Sequence, residues 1–233
     1  MQQISYRDGD TELTGVLARP SGRPKAAIAV FPTIMNQAPN VERRLQMLAR
    51  AGYLALMIDF YGEPITDREG AMRLGNALRQ DPAAFRRRIA AGLDALASHP
   101  ERGTLPMAAI GYCLGGGAVL EAARMGADLA AVVSFHGLLA TQLPVPASQV
   151  IRSRILVCHG DADPLVPRDH VRRFQEELEA VGANYHLHIY SGVKHGFTDP
   201  KSDASGLPAL SYDASADRQS WAAMLGLFDE VFA

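Results

Sequence analysis

The segment Gly111-Tyr112-Cys113-Leu114-Gly115 closes a short apolar run and opens a helix-like stretch, so a thiol stands where a nucleophile elbow usually carries a serine. A nucleophile on a sharp strand-to-helix turn sits in strained backbone, and the residues two before and two after it must lack side chains that would clash. Gly111 and Gly115 meet that need. The same turn aims the amide of Leu114 at a reacting carbonyl, and a helix N-terminus favours negative charge, a thiolate included. A free cysteine in a glycine-rich turn can equally be a small buried hydrophobe, so the pattern alone leaves both readings open.

Two further segments carry groups that could serve a thiol nucleophile. His159-Gly160-Asp161-Ala162-Asp163-Pro164 follows the apolar run Ile155 to Cys158, and Val193-Lys194-His195-Gly196-Phe197 follows the strand pattern Tyr185 to Tyr190. In open α/β sheets the chemistry collects beyond the carboxyl ends of the strands, which is where both segments fall. Nucleophile, acid and histidine in that chain order match the order of α/β-hydrolases. His195 lies between Lys194 and Gly196 with no apolar face to pack. His136 and His159 also follow strands and could line a site, whereas His186 and His188 alternate along one strand as surface or cross-strand residues.

These residues need a scaffold, and the apolar pattern supplies one. Ala26 to Phe31, Leu54 to Ile58, Met107 to Ile110, Ala131 to Phe135 and Ile155 to Cys158 are continuous apolar runs, as in strands buried on both faces of a parallel sheet. Helical spacing appears at Val41, Leu45 and Leu48, at Phe85, Ile89, Leu93 and Leu96, at Val171, Phe174 and Leu178, and at Trp221, Leu225 and Phe228. Gln2 to Ala18 reads as an antiparallel hairpin around Asp8-Gly9-Asp10. The fold class expected is α/β, with a mostly parallel central sheet flanked by helices and this hairpin at the N-terminus. No repeat or linker interrupts the pattern, so residues 1–233 are read as one domain. The stretches Thr33 to Asn40, Glu63 to Arg79 and His136 to Ile151 are read as loops, and the polar stretch Pro200 to Ser215 as a lid or an unstructured loop.

Composition narrows the partners. With 23 Lys and Arg against 25 Asp and Glu there is no basic excess for nucleic acid, and no apolar run reaches membrane-spanning length. The N-terminus lacks a basic region followed by an apolar stretch, so the chain is expected in the cytoplasm with its two cysteines free. Neither cysteines nor histidines show metal-ligand spacing, and the chemistry of a thiol triad requires no cofactor.

The motifs Asp59-Phe60-Tyr61-Gly62, Gly111-Tyr112-Cys113-Leu114-Gly115-Gly116, His159-Gly160-Asp161-Ala162-Asp163-Pro164 and Val193-Lys194-His195-Gly196-Phe197 together resemble the dienelactone hydrolase family, over most of the chain. The resemblance implies a Cys113, His195, Asp163 triad acting on esters or lactones, with Asp163 favoured over Asp161 because the family's acid directly precedes the proline. It implies an oxyanion hole made by the amides of Leu114 and Ile34, and it points to Thr33, Tyr61, Glu63, His136, Phe197 and Asp199 as pocket residues. Thr33 stands where the family carries a glutamate that interacts with the thiol, and Glu63 and Asp199 align with arginines that hold a substrate carboxylate. Two acidic groups there would repel a carboxylate, so the sequence predicts a neutral or cationic ester rather than dienelactone itself. A thioesterase, a peptidase-like hydrolase, or a non-catalytic thiol or binding protein on the same scaffold are the rival readings.

Overall fold

The structure, a computed structural model, describes residues 1–233 and contains one eight-stranded sheet. Its strands are β1 (Gln2–Asp8), β2 (Thr11–Ala18), β3 (Ala27–Phe31), β4 (Leu54–Met57), β5 (Met107–Tyr112), β6 (Ala131–Phe135), β7 (Arg154–Gly160) and β8 (Tyr185–Tyr190). They lie in the order β1-β2-β4-β3-β5-β6-β7-β8. The pairs β1/β2 and β2/β4 are antiparallel and all others are parallel. The hairpin turns at Gly9, whose φ of 57° suits a residue without a side chain.

Six helices cover the sheet: α1 (Pro39–Arg50), α2 (Arg68–Gln80), α3 (Pro82–Ala97), α4 (Leu114–Arg124), α5 (Arg168–Ala180) and α6 (Ala214–Val231). The central strands are buried along their whole length, and alternate residues feed two separate cores. Leu54, Leu56 and Ile58 pack toward Phe85 and Ile89 of α3 and Val119 of α4, while Ala55 and Met57 pack toward Leu45 of α1 and Phe228 of α6. Burial on both faces is why these strands read as unbroken apolar runs. None of the helices is long and apolar enough to cross a membrane.

Two stretches differ from expectation. Arg68–Gln80 is a helix, not a loop: Asp67 caps it by accepting from the Gly70 amide at 2.7 Å. Its inward face carries Ala71, Leu74, Gly75 and Leu78 at helical spacing, with the two leucines partly buried against the core, so the stretch does hold an apolar period, although half of that stripe is small residues. Pro200 to Ser215 is not unstructured, and its Lys201, Ser202 and Leu210 border a cavity. Its single 3-10 turn at Asp203–Ser205 is tied down by Ser202 Oγ donating to the Gly196 carbonyl at 2.7 Å and by Ser211 Oγ donating to Asp203 at 2.8 Å.

The chain runs from β3 out to β4 on one side and returns to β5 on the other. The gap between the loops after β3 and β5 is therefore the topological switch point, where α/β sheets bind ligands. The first turn of α4 packs against the end of β3 so closely that a Cβ on Gly115 would lie 2.1 Å from the Phe31 carbonyl oxygen. Gly115→Ala is expected to destabilise the protein by about 3 kcal/mol or more, lowering Tm by on the order of 10 °C. Gly226→Ala in α6, where an added Cβ meets nothing within 4 Å, should be neutral or stabilising by up to about 1 kcal/mol. Thermal melts of the two variants check the contrast.

Candidate active site

Cys113 caps α4 with φ 55° and ψ −113°, a conformation that costs a side-chain-bearing residue energy and that the surrounding turn must hold. Three backbone bonds hold it: the Cys113 amide donates to the Phe135 carbonyl at 3.1 Å, Gly115 to Pro32 at 3.0 Å and Gly117 to Cys113 at 3.1 Å. A Cβ on Gly111 would sit 1.9 Å from the Gly115 carbonyl oxygen, so both elbow glycines are required by close backbone approach. The thiol itself is half-buried, while Cys158 is fully buried and free.

His195 arrives from the loop after β8. Its amide donates to the Ala209 carbonyl at 3.2 Å and its carbonyl accepts from Ser211 at 3.1 Å, so the Pro200 to Ser215 segment brackets the histidine on both sides. Its Nδ1 lies 2.7 Å from Oδ2 of Asp163, and the other oxygen of Asp163 accepts from the Leu165 amide at 2.8 Å. Both side chains are almost wholly buried. Asp161, the competing acid, instead pairs with exposed Arg168 at 2.8 Å. Nε2 of His195 is buried with no satisfied hydrogen bond, and the Cys113 thiol is the ionisable group that most strongly favours the charged form of that ring.

The two groups stabilise each other as an ion pair. Burial pushes the Cys113 thiol up, but the nearby His195 charge, together with the Leu114 and Ile34 amides, outweighs it and brings its pKa below the ordinary thiol value. Burial likewise disfavours charge on His195, and the Cys113 thiolate and Asp163 reverse that to raise its pKa. Burial pushes Cys158 up to about 12, against the smaller lowering effect of the Tyr190 hydroxyl. The thiol's pKa is thus lowered without an acidic residue at position 33.

The Ile34 amide is positioned by a buried carboxylate. Asp59 accepts from Asn36 Nδ2 at 2.8 Å, from the amides of Tyr61 at 2.9 Å and Gly62 at 3.1 Å, and from Thr14 of β2 at 3.0 Å. Asn36 returns a bond from the Phe60 amide at 3.1 Å and adopts φ 55°. Tyr61 donates to the Ile34 carbonyl at 3.1 Å. The motif Asp59-Phe60-Tyr61-Gly62 therefore builds the loop that carries Ile34. The sequence offered a signal for Asp59, which lies in a recognised motif, and none for Asn36.

A cavity of about 260 Å³ opens at Cys113 and His195, and Thr33, Ile34, His136 and Asp199 also line it. Tyr61 and Phe197, expected there, do not: the Tyr61 hydroxyl is spent on Ile34, and Phe197 is fully buried beneath His136, edge-on at 5.2 Å. Nor does Glu63, which is exposed in a separate polar depression with Gln37 and Pro64. The acidic pair aligned against a substrate carboxylate is thus split by the fold, and Asp199 accepts from the Lys201 amide at 2.9 Å. His136, φ 41°, packs edge-on against His195 with ring centroids 5.0 Å apart and bonds Thr198 Oγ1 at 2.9 Å through Nε2. Burial, then the His195 and Arg44 charges, hold its pKa well below the usual imidazole range, so it is neutral and leaves His195 as the charged ring.

An α/β-hydrolase scaffold with a thiol at its elbow defines the class. Residues 13–232 match the dienelactone hydrolase family, and the chain belongs to it. Among solved structures, m3DLH is 38% identical with a TM-score of 0.93, covering 100% of this chain and 98% of that one. P91 from metagenomic libraries, titled a dienelactone hydrolase-like promiscuous phosphotriesterase, is 35% identical with a TM-score of 0.94 over 100% and 98% of the two chains. A Bradyrhizobium protein named a probable 2-oxo-3-(5-oxofuran-2-ylidene)propanoate lactonase is 29% identical over 84% of this chain and 83% of its own. The protein is an ester- or lactone-hydrolysing enzyme of this family.

Because His195 lowers the Cys113 pKa against the effect of burial, alkylation of Cys113 by iodoacetamide should titrate with a midpoint below the ~8.5 of a free thiol. In His195→Ala only burial and the two amides remain, so the midpoint should move up. A midpoint unchanged by the substitution would contradict the ion pair. Cys158 should stay unmodified across the same range.

Proposed function

We propose that Cys113, His195 and Asp163 form a catalytic triad that hydrolyses carboxylic esters or lactones through a thioester. The observation that carries this reading is His195 held by Asp163 at 2.7 Å through Nδ1 while its buried Nε2 remains unpartnered beside the thiol. A base fixed through one nitrogen keeps the other for the reacting groups.

The Cys113 thiolate attacks the ester carbonyl, forming a C–S bond and moving the π electrons onto oxygen. The Leu114 and Ile34 amides stabilise that oxyanion, each worth roughly 3 kcal/mol of barrier in comparable sites. Collapse breaks the C–O bond, and the His195 imidazolium gives its proton to the departing alkoxide. Neutral His195 then takes a proton from water as its oxygen attacks the thioester. The second collapse releases the acid and restores the thiolate and imidazolium together, so no proton is left over. A lactone follows the same course, but the alcohol stays joined to the acyl chain throughout, so the single product is a hydroxy acid.

Neutral His136 next to His195 supports this assignment, since a second imidazolium there would repel the first. The family's match and the Bradyrhizobium protein's name, which specifies a lactonase, support the choice of bond.

Turnover of p-nitrophenyl acetate should fall to background in Cys113→Ala and by two to four orders of magnitude, roughly, in Asp163→Asn, where the histidine loses its orienting charge. Mass spectrometry of the quenched wild type should find the acetyl group on the peptide containing Cys113. Equal rates in wild type and Cys113→Ala would end the triad reading.

A further inference from the structure

A second cavity, of about 240 Å³, is lined by Arg79, Phe85, Leu114, Glu121 and Leu138, and Leu114 in its wall directly follows Cys113 in the chain. Arg79 comes to it from α2, the helix that packs on the oxyanion loop. A Cβ on Gly75 would lie 2.6 Å from the Ile34 side chain and 3.1 Å from the Tyr61 hydroxyl, and Arg79 stands one turn further along that face.

The charges in this cavity are unequal in what they have left to give. Glu121 accepts from Arg86 at 2.8 Å and from Arg124 at 2.9 Å, and Arg124 also binds Glu177 at 2.8 Å, so its carboxylate is neutralised by the protein. Arg79 faces no carboxylate: its guanidinium bonds the Asn76 side chain at 2.5 Å, and its carbonyl accepts from Gln142 at 3.1 Å. It is half-buried, where a guanidinium and an anion attract more strongly than in bulk water.

The triad fixes which arm of a substrate reaches that cavity. With the carbonyl oxygen between the Leu114 and Ile34 amides, the leaving oxygen must meet His195, which lines the first cavity and not the second. The acyl arm is the one left free to run past Leu114 toward the second cavity. We propose that Arg79 is a specificity-determining residue that binds a carboxylate at the far end of an apolar acyl arm. The inference rests on the triad reading for the direction of that arm. It also reverses the sequence-based expectation of a neutral or cationic ester, because the anion is met by a helix that the sequence left as loop, remote from Asp199 and Glu63.

The test compares 4-nitrophenyl pentanoate with the 4-nitrophenyl monoester of glutarate, which has the same acyl length but ends in a carboxylate, after subtraction of spontaneous hydrolysis. Arg79→Gln is expected to lower kcat/KM for the glutarate ester about tenfold, mostly through KM, and to leave the pentanoate within about twofold. Arg79→Lys should keep part of the preference. An unchanged ratio in Arg79→Gln overturns the proposal. If that variant fails to fold, the wild-type ratio decides: it must fall as salt screens the guanidinium, and a flat ratio overturns the proposal. Protection of wild-type Cys113 from iodoacetamide by glutarate, absent in Arg79→Gln, reads the anion site without turnover. If the wild type hydrolyses neither ester, the hydrolytic reading fails, and this protection alone decides whether the anion site stands.

Discussion

The hydrogen bond from the Gly115 amide to the Pro32 carbonyl, 3.0 Å long, ties together the two pieces of chain on which the site depends. Gly115 follows Leu114 by one residue and Pro32 precedes Ile34 by two, so this bond sets the spacing of the two amides that face the thiol. It can form only because Gly115 has no Cβ to hold the turns apart. Sheet order brings the two loops to the same gap, and this contact decides how narrow the gap is. Without it the same strands could form, with a thiol at the end of β5 but no paired amides beside it.

Charge is placed with similar economy. Two ionised groups near a low-dielectric core carry a desolvation cost that neither could bear alone, and each is the other's main compensation. Asp163 adds a second partner for the imidazolium, and the neighbouring His136 stays uncharged. The surrounding arginines and carboxylates close among themselves: Arg44 binds Asp217 and the Thr198 carbonyl, and Glu121 is shared by Arg86 and Arg124. Arg44 also lies over the Tyr112 and Trp221 rings at 5.9 and 5.2 Å, joining the thiol strand to α6.

How much of this could be read from residues alone follows from what each residue must do. The central strands were legible because burial on both faces forces unbroken apolar runs, and the elbow because its glycines have no substitute. The order Cys113, Asp163, His195 was legible because each follows a strand. The helix Arg68–Gln80 gave a weaker signal, since its stripe of Ala71, Leu74, Gly75 and Leu78 is half small residues and its leucines are only partly buried. Placement of Glu63 failed for a related reason: alignment puts it beside Tyr61, but a φ of 73° at Gly62 turns the chain away there. Asn36 could not be found at all, because its importance lies in partners 23 and 24 residues away.

The Asp59 carboxylate gathers donors from β2, from the loop after β3 and from its own turn, and the Tyr6 hydroxyl of β1 bonds both its amide, at 2.9 Å, and its carbonyl, at 3.0 Å. Contacts spanning 45 and 53 residues carry a loop-closure cost that the local bonds of this turn do not. A chain that has assembled only its parallel strands already presents the thiol and its helix, yet lacks the antiparallel edge that seats Ile34. Reactivity toward an acyl carbon is in this way made conditional on the molecule having finished folding.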